Sequence, residues 1–213
     1  MLHLAALPPG TLDLLRKLSA HPALEQFALV GGTSLALRFG HRRSIDFDFF
    51  TPETFDVDWL VHALAKDVSG FEVKATNQIG FNALVDDLKI DFVTYRYPLI
   101  EPPETVEGIR MFSLPDVIGM KLGAITNRGA KKDFYDLHVL IQNLGVDALI
   151  DIYRQKYPKH DPMIVLRSMI YFDDAEDEDE PESLTDVTWE EIKEAIVKAV
   201  RECASLKVQG TQQ

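Results

Sequence analysis

Gly31-Gly32-Thr33-Ser34, followed by Gly40-His41-Arg42-Arg43-Ser44-Ile45-Asp46-Phe47-Asp48-Phe49-Phe50, is the stretch that decides the fold. Just ahead of it, Phe27-Ala28-Leu29-Val30 is a short apolar run stopped by the glycine pair, the pattern of a buried strand. Residues 34–39 read as a helix closed by Gly40. Residues 44–50 alternate: Ile45, Phe47 and Phe49 fall on one face of a strand, and Ser44, Asp46, Asp48 and Phe50 on the other. One face packs and the other carries two carboxylates side by side. Adjacent anions are costly unless a cation lies between them. The order glycine turn, basic loop and Asp-x-Asp therefore suits a metal-bound nucleoside triphosphate.

Outward from this stretch, residues 11–20 have helical periodicity with Thr11 placed as an N-cap, and residues 53–67 form an amphipathic helix. Residues 71–76, 80–85 and 88–95 are strand candidates, with Asp86-Asp87 as the turn between the last two, so antiparallel pairing within a mixed sheet is expected. Beyond Pro102-Pro103 the pattern turns helical, over residues 114–126, 131–142, 147–157, 162–171 and 189–206. The expected class is α/β (α+β): a mixed sheet flanked by helices in residues 1–105, then a helical half in residues 106–213.

A chain of 213 residues can bury one sizeable core, or one core with a helical annex. The formal charge of −12 is uneven: residues 173–182 (DDAEDEDEPE) hold eight acidic side chains, and without them 26 acidic face 22 basic residues. That patch reads as a solvated loop. The overall sign argues against a broad basic surface for nucleic acid, while leaving room for a nucleotide or an RNA tip in a local basic pocket. The lone Cys203 suits a reducing compartment, no apolar run approaches membrane-spanning length, and MLHLAALPPG lacks the features of a signal peptide. A cytoplasmic protein with no membrane partner is expected.

A third carboxylate is available in Lys89-Ile90-Asp91-Phe92. If this strand neighbours the Asp-x-Asp strand, Asp46, Asp48 and Asp91 converge on a metal; otherwise Asp91 is a solvent-facing strand residue. Mg²⁺ takes oxygen ligands and shares itself between carboxylates and substrate phosphates, and a pair of such ions supports in-line displacement at phosphorus. Gly31 and Gly32 would let backbone amides approach phosphate oxygens at a helix N-terminus, with a hydroxyl from Thr33 or Ser34; the competing reading is a plain strand-to-helix turn. Arg42 or Arg43 would grip phosphate or pair with the aspartates, and His41 reads as a structural loop histidine in preference to a general base.

Downstream, K-L-G-A-I-T-N-R-G-A-K-K-D-F-Y-D-L begins at Lys121. Lys121 and Arg128 share one helix face, and Asp133 and Asp136 another. They fit a phosphate and base clamp or an interhelix salt-bridge network, and their combination with the acidic strand favours the clamp. Phe49, Phe134 and Tyr135 are candidate lining for a base pocket.

With these pieces in order, the chain resembles the AbiEii/AbiGii-type nucleotidyltransferases of the DNA-polymerase-β-like superfamily. The resemblance spans roughly residues 25–205 and rests on G-G-T-S…G-H-R-R-S-I-D-F-D-F-F, K-I-D-F and K…N-R…K-K-D-F-Y-D-L, with Y-F-D-D-A-E near residue 171 as a further shared feature. It implies that Asp46, Asp48 and Asp91 hold Mg²⁺ or Mn²⁺. Gly31, Gly32, Thr33 and Ser34 would line the phosphates with Arg42, and Lys121 would contact the triphosphate. Arg128, Asp133 and Asp136 would complete the nucleotide site, the helical half finishing the cleft. The implied reaction transfers an NMP from an NTP to an acceptor hydroxyl, on RNA (tRNA included) or protein, releasing pyrophosphate. Some members are toxins of toxin–antitoxin or phage-defence systems, so a cognate antitoxin is an implied partner. The alternatives are a non-catalytic nucleotide- or partner-binding module on the same fold, and a metal-dependent phosphohydrolase.

Overall fold

Strand β1 (Ala28–Val30) is buried along its whole length, which is why it reads as an unbroken apolar run. The chain then turns through Gly31, at φ +68°, into helix α2 (Gly31–Phe39), which Gly40 ends in the left-handed region. Strand β2 (Phe47–Thr51) returns antiparallel to β1, with Leu29 opposite Phe49. Helix α1 (Thr11–Ser19) lies ahead of these elements; α3 (Val57–Asp67) follows them, capped by the Asp56 carboxylate, which accepts from the Trp59 amide at 3.0 Å. Next come β3 (Phe71–Asn77), β4 (Gly80–Val85) and β5 (Leu88–Thr94), with β4 antiparallel to β3 and β5 antiparallel to β4. Asp86 and Asp87 both have positive φ (48° and 68°), as a two-residue hairpin turn requires.

The computed structural model describes residues 1–203, which form two compact units, Met1–Ser113 and a second starting at Leu114. A hairpin of β6 (Glu104–Val106) and β7 (Ile109–Met111) completes the first unit. Its strands form one mixed sheet in the order β3-β4-β5-β2-β1-β7-β6, with β2–β5 and β1–β7 parallel. Phe47, Phe49, Ile90 and Phe92 point to the buried side, where the Phe92 ring stacks on Phe49 (5.8 Å) and Phe81 (4.9 Å) and meets Phe27 edge-on. Each such ring contributes about 1.5–3 kcal/mol through burial.

Three expectations for this unit need correction. Strand β2 starts at Phe47, and Ile45 is 62% exposed, off the packing face. The backbone ahead of β2 bonds elsewhere: Ser44 N–H donates to the Ala6 carbonyl, and the Thr33 hydroxyl holds the Asp46 carbonyl. The N-cap of α1 is Gly10, while the Thr11 hydroxyl donates to the Pro8 carbonyl at 2.8 Å. After Pro102-Pro103 the chain forms the β6–β7 hairpin before any helix, around Glu107-Gly108 at φ 51° and 83°.

The second unit consists of α4 (Leu114–Asn127), α5 (Lys131–Lys156), α6 (Pro162–Ser168) and α7 (Trp189–Glu202) among its described residues. Helix α5 is interrupted at Gly145 (φ 77°, ψ 160°), the break anticipated between residues 142 and 147. Thr188 and Glu191 form a capping box at the start of α7; residues 204–206, expected to extend that helix, lie outside the described residues. As expected, the acidic segment is an exposed loop, around one short 3-10 turn (Asp173–Ala175), and several of its carboxylates also have partners. Glu178 accepts from the Lys131 amide at the N-terminus of α5 (2.7 Å), and Glu176 accepts from Trp189 Nε1 and Lys193 Nζ (2.6 Å each). Lys131 Nζ donates to the carbonyls of Glu176 and Glu178. Tyr135 donates to Glu180, and its own burial together with that carboxylate pushes the phenol up to about 12. A carboxylate at a helix N-terminus complements the helix dipole, which explains why so acidic a stretch folds back here.

Candidate active site

Parallel pairing of β2 and β5 places Asp48 directly opposite Asp91, between the buried pairs Phe47–Ile90 and Phe49–Phe92. Because side chains alternate along both strands, the two carboxylates project together from the other face. Asp46 lies two residues upstream, at the entry to β2. On the other side of β2, Val30 is opposite Asp48, which brings the glycine turn alongside that carboxylate. A Cβ at Gly31 would stand 2.3 Å from Asp48 Oδ2, so only a bare backbone fits. Gly31→Ala would combine left-handed strain with this clash. The expected result is a loss of about 1–2 kcal/mol in denaturant unfolding from the backbone alone, with Asp48 displaced and nucleotide transfer lost.

The hydroxyls after the glycines work inside the unit. Thr33 is 1% exposed; its Oγ1 lies 2.9 Å from Ser44 Oγ and donates to the Asp46 carbonyl, fixing the backbone that carries Asp46. Ser34 is fully buried and accepts from Arg38. Arg42 is buried with its guanidinium over Gly32, where a Cβ would meet Nη2 at 2.2 Å, and Nη1 donates to the Arg43 carbonyl at 3.1 Å. His41 is buried too, edge-on to Phe39.

Lys89 was not singled out from the sequence. Its Nζ donates to Asp91 Oδ2 at 2.7 Å, with the lysine side chain about half exposed. The ammonium pKa is raised, first by that hydrogen bond and then, against some desolvation, by the charges of Asp91, Asp46 and Asp48. Lys89 thus senses all three carboxylates. The available signal was the two-residue spacing from Asp91, which puts both on one strand face.

Asp46, Asp48 and Asp91 offer only hard carboxylate oxygens, the donor set that Mg²⁺ and Mn²⁺ take. Among the described residues no three His, Cys, Asp or Glu side chains are gathered as a finished cage. The fit therefore rests on donor chemistry, on the opposed pair Asp48 and Asp91, and on a cation, Lys89, drawn into their field.

The second unit gathers the other predicted residues. Lys121 Nζ lies 2.6 Å from both Asp133 Oδ1 and Asp136 Oδ2, with all three side chains buried. Arg128 adds a fork to Asp133, Nε to Oδ2 at 3.0 Å and Nη2 to Oδ1 at 3.3 Å. Burial alone would raise the Asp133 carboxyl. The Lys121 charge, with hydrogen bonds from Arg128 and Lys121, outweighs it and holds the carboxyl below its usual range. A depressed folded pKa gives stability that is present above the unfolded value of about 3.9 and lost as pH falls through the folded value. Unfolding free energy should therefore fall below about pH 4, and less steeply in Asp133→Asn; identical slopes in urea titrations would contradict this. Phe49, Phe134 and Tyr135, expected to line a base pocket, are core residues at 1%, 0% and 3% exposure. Phe134 and Tyr135 pack against Trp189.

A mixed sheet with a glycine turn beside two opposed strand carboxylates defines a nucleotidyltransferase fold. MenT4, a nucleotidyltransferase toxin of Mycobacterium tuberculosis H37Rv, superimposes with a TM-score of 0.56 at 15% identity over 92% of this chain and 85% of its own. JHP933 of Helicobacter pylori does so at 0.53 and 17% identity, over 97% of this chain and all of its own. The family model described as nucleotidyl transferase AbiEii toxin, type IV toxin–antitoxin system, matches residues 13–205, and the chain belongs to that family of nucleotidyltransferases. An uncharacterized protein of Aquifex aeolicus strain VF5, aq_aa25, is 36% identical over 199 residues, covering 89% of this chain and 94% of that protein. No helix among the described residues is long and apolar enough to cross a membrane.

Proposed function

We propose that the protein transfers an NMP from an NTP to an acceptor hydroxyl on RNA, tRNA included, or on protein, with Asp46, Asp48 and Asp91 as the ligands of Mg²⁺ or Mn²⁺. The observation that carries this reading is the register of β2 and β5, which sets Asp48 against Asp91 beside the Gly31 turn. The acceptor oxygen forms a bond to the α-phosphorus while the bond from that phosphorus to the bridging β-oxygen breaks. Pyrophosphate leaves with the electron pair, and Asp91 takes the acceptor proton. A bound divalent ion would polarise the phosphate and neutralise the charge gathering on pyrophosphate. Gly31 and Gly32 let the side chains of Asp48 and Arg42 pack against bare backbone, and Thr33 holds Asp46 in place. In the second unit Lys121 and Arg128 are tied to Asp133 and Asp136, the interhelix network that competed with a phosphate clamp for these residues. Family membership supports a toxin role, with a cognate antitoxin as partner.

The test is the inorganic product formed from each of four NTPs with Mg²⁺ and total tRNA. Pyrophosphate matching acceptor modification one for one is expected. Orthophosphate instead would indicate a hydrolase, and neither product over a broad acceptor screen, with NTP still bound, a binding module.

A further inference from the structure

We propose that Lys89 is a resident counter-ion of the carboxylate cluster, holding Asp91 in the metal-free protein and giving way when a divalent cation binds. The inference rests on the reading of Asp46, Asp48 and Asp91 as metal ligands.

Lys89 and Asp91 are joined on one face of β5 by the 2.7 Å hydrogen bond, and Asp91 is opposite Asp48 on β2. The ammonium is therefore delivered to the face on which the carboxylates stand. Across the other neighbour, β4, the residue opposite Asp91 is Asn82, an amide that carries no charge to balance it. Without a cation the cluster would hold several like charges in a small space, which is unfavourable. Lys89 relieves that repulsion and can also leave. Its side chain is 51% exposed, on a flexible four-carbon stem, and ion pairs so exposed are weak. Arg42 contrasts with it: at 3% exposure and packed over Gly32, its guanidinium is fixed. A strong, buried lysine pair would close the site to a metal; a weak, solvated one keeps the carboxylates gathered and exchangeable. Metal binding then includes the work of displacing one ammonium, so Lys89 lowers the intrinsic metal affinity while keeping the empty site in order.

The experiment is calorimetric titration of the full chain with MnCl₂, comparing wild type, Lys89→Met, Lys89→Arg and Asp48→Asn, with thermal melting in EDTA and in Mn²⁺. Lys89→Met should bind Mn²⁺ about three- to tenfold more tightly, since the removed charge is paired with Asp91, opposite Asp48. It should also melt lower than wild type in EDTA and gain more on adding Mn²⁺. Lys89→Arg keeps the charge and should stay close to wild type. Unchanged or weaker Mn²⁺ binding by Lys89→Met, with Asp48→Asn still showing loss of binding, would overturn the counter-ion role and leave the metal site standing. Equal binding by wild type and Asp48→Asn would remove the metal site and this proposal together.

Discussion

Asp48→Asn is expected to lower nucleotidyl transfer by about 10³-fold or more, roughly 4 kcal/mol of transition-state stabilisation, while the melting temperature stays within a few degrees of wild type. Asn has nearly the shape of Asp, so it fills the same space against Gly31, where Asp48 Oδ2 stands too close for a Cβ to fit. The buried side of β2, built by Phe47 and Phe49, is untouched. What disappears is one full negative charge opposite Asp91. The carboxamide oxygen is a much poorer partner for a hard dication than a carboxylate. Stability should not suffer, because removing one of several neighbouring like charges relieves repulsion. Activity and stability thus separate, which a merely structural role for Asp48 would not allow. Activity within tenfold of wild type would contradict this account.

The largest effect on stability is expected in the second unit, at Asp116 and Lys156. Both side chains are completely buried, and Lys156 Nζ is 2.5 Å from Asp116 Oδ1. The lysine stem reaches this position past Gly119, where a Cβ would lie 2.8 Å from Lys156 Cγ. Asp116→Ala would take the paired carboxylate away from a buried ammonium and should cost about 3–5 kcal/mol in chemical denaturation. Replacing both, as Asp116→Leu with Lys156→Met, should recover most of that loss, because well-packed apolar groups avoid the desolvation of two charges. The double-mutant cycle should therefore show strong coupling. Additive losses would mean that the two side chains act independently, against the geometry.

Much of the first unit was legible because its signals are local. The apolar run before Gly31, the alternation around Asp48 and the Asp86-Asp87 turn each dictate backbone shape within a few residues, and each element formed, β2 starting three residues later than expected. The adjacency of β2 and β5 was only a condition in the sequence, since parallel neighbours are chosen by the whole sheet. The β6–β7 hairpin was missed because its strands are three residues each, too short for periodicity, although Glu107-Gly108 was a usable turn signal. Thr33 shows a different limit. Its hydroxyl suited phosphate by type, and tertiary structure instead directs it to the Asp46 carbonyl. The acidic segment is an exposed loop as expected, but charge composition says nothing about the helix N-terminus or the partners Lys131, Trp189 and Lys193 that it meets.

The most direct test of the central claim is transfer of label from each of four α-³²P NTPs, with Mg²⁺ and total tRNA, by wild type and by Asp48→Asn in parallel. The account predicts label on RNA or protein with wild type alone, from the NTP that the enzyme selects. Equal labelling by both proteins would contradict it, as would no labelling by wild type with any of the four nucleotides.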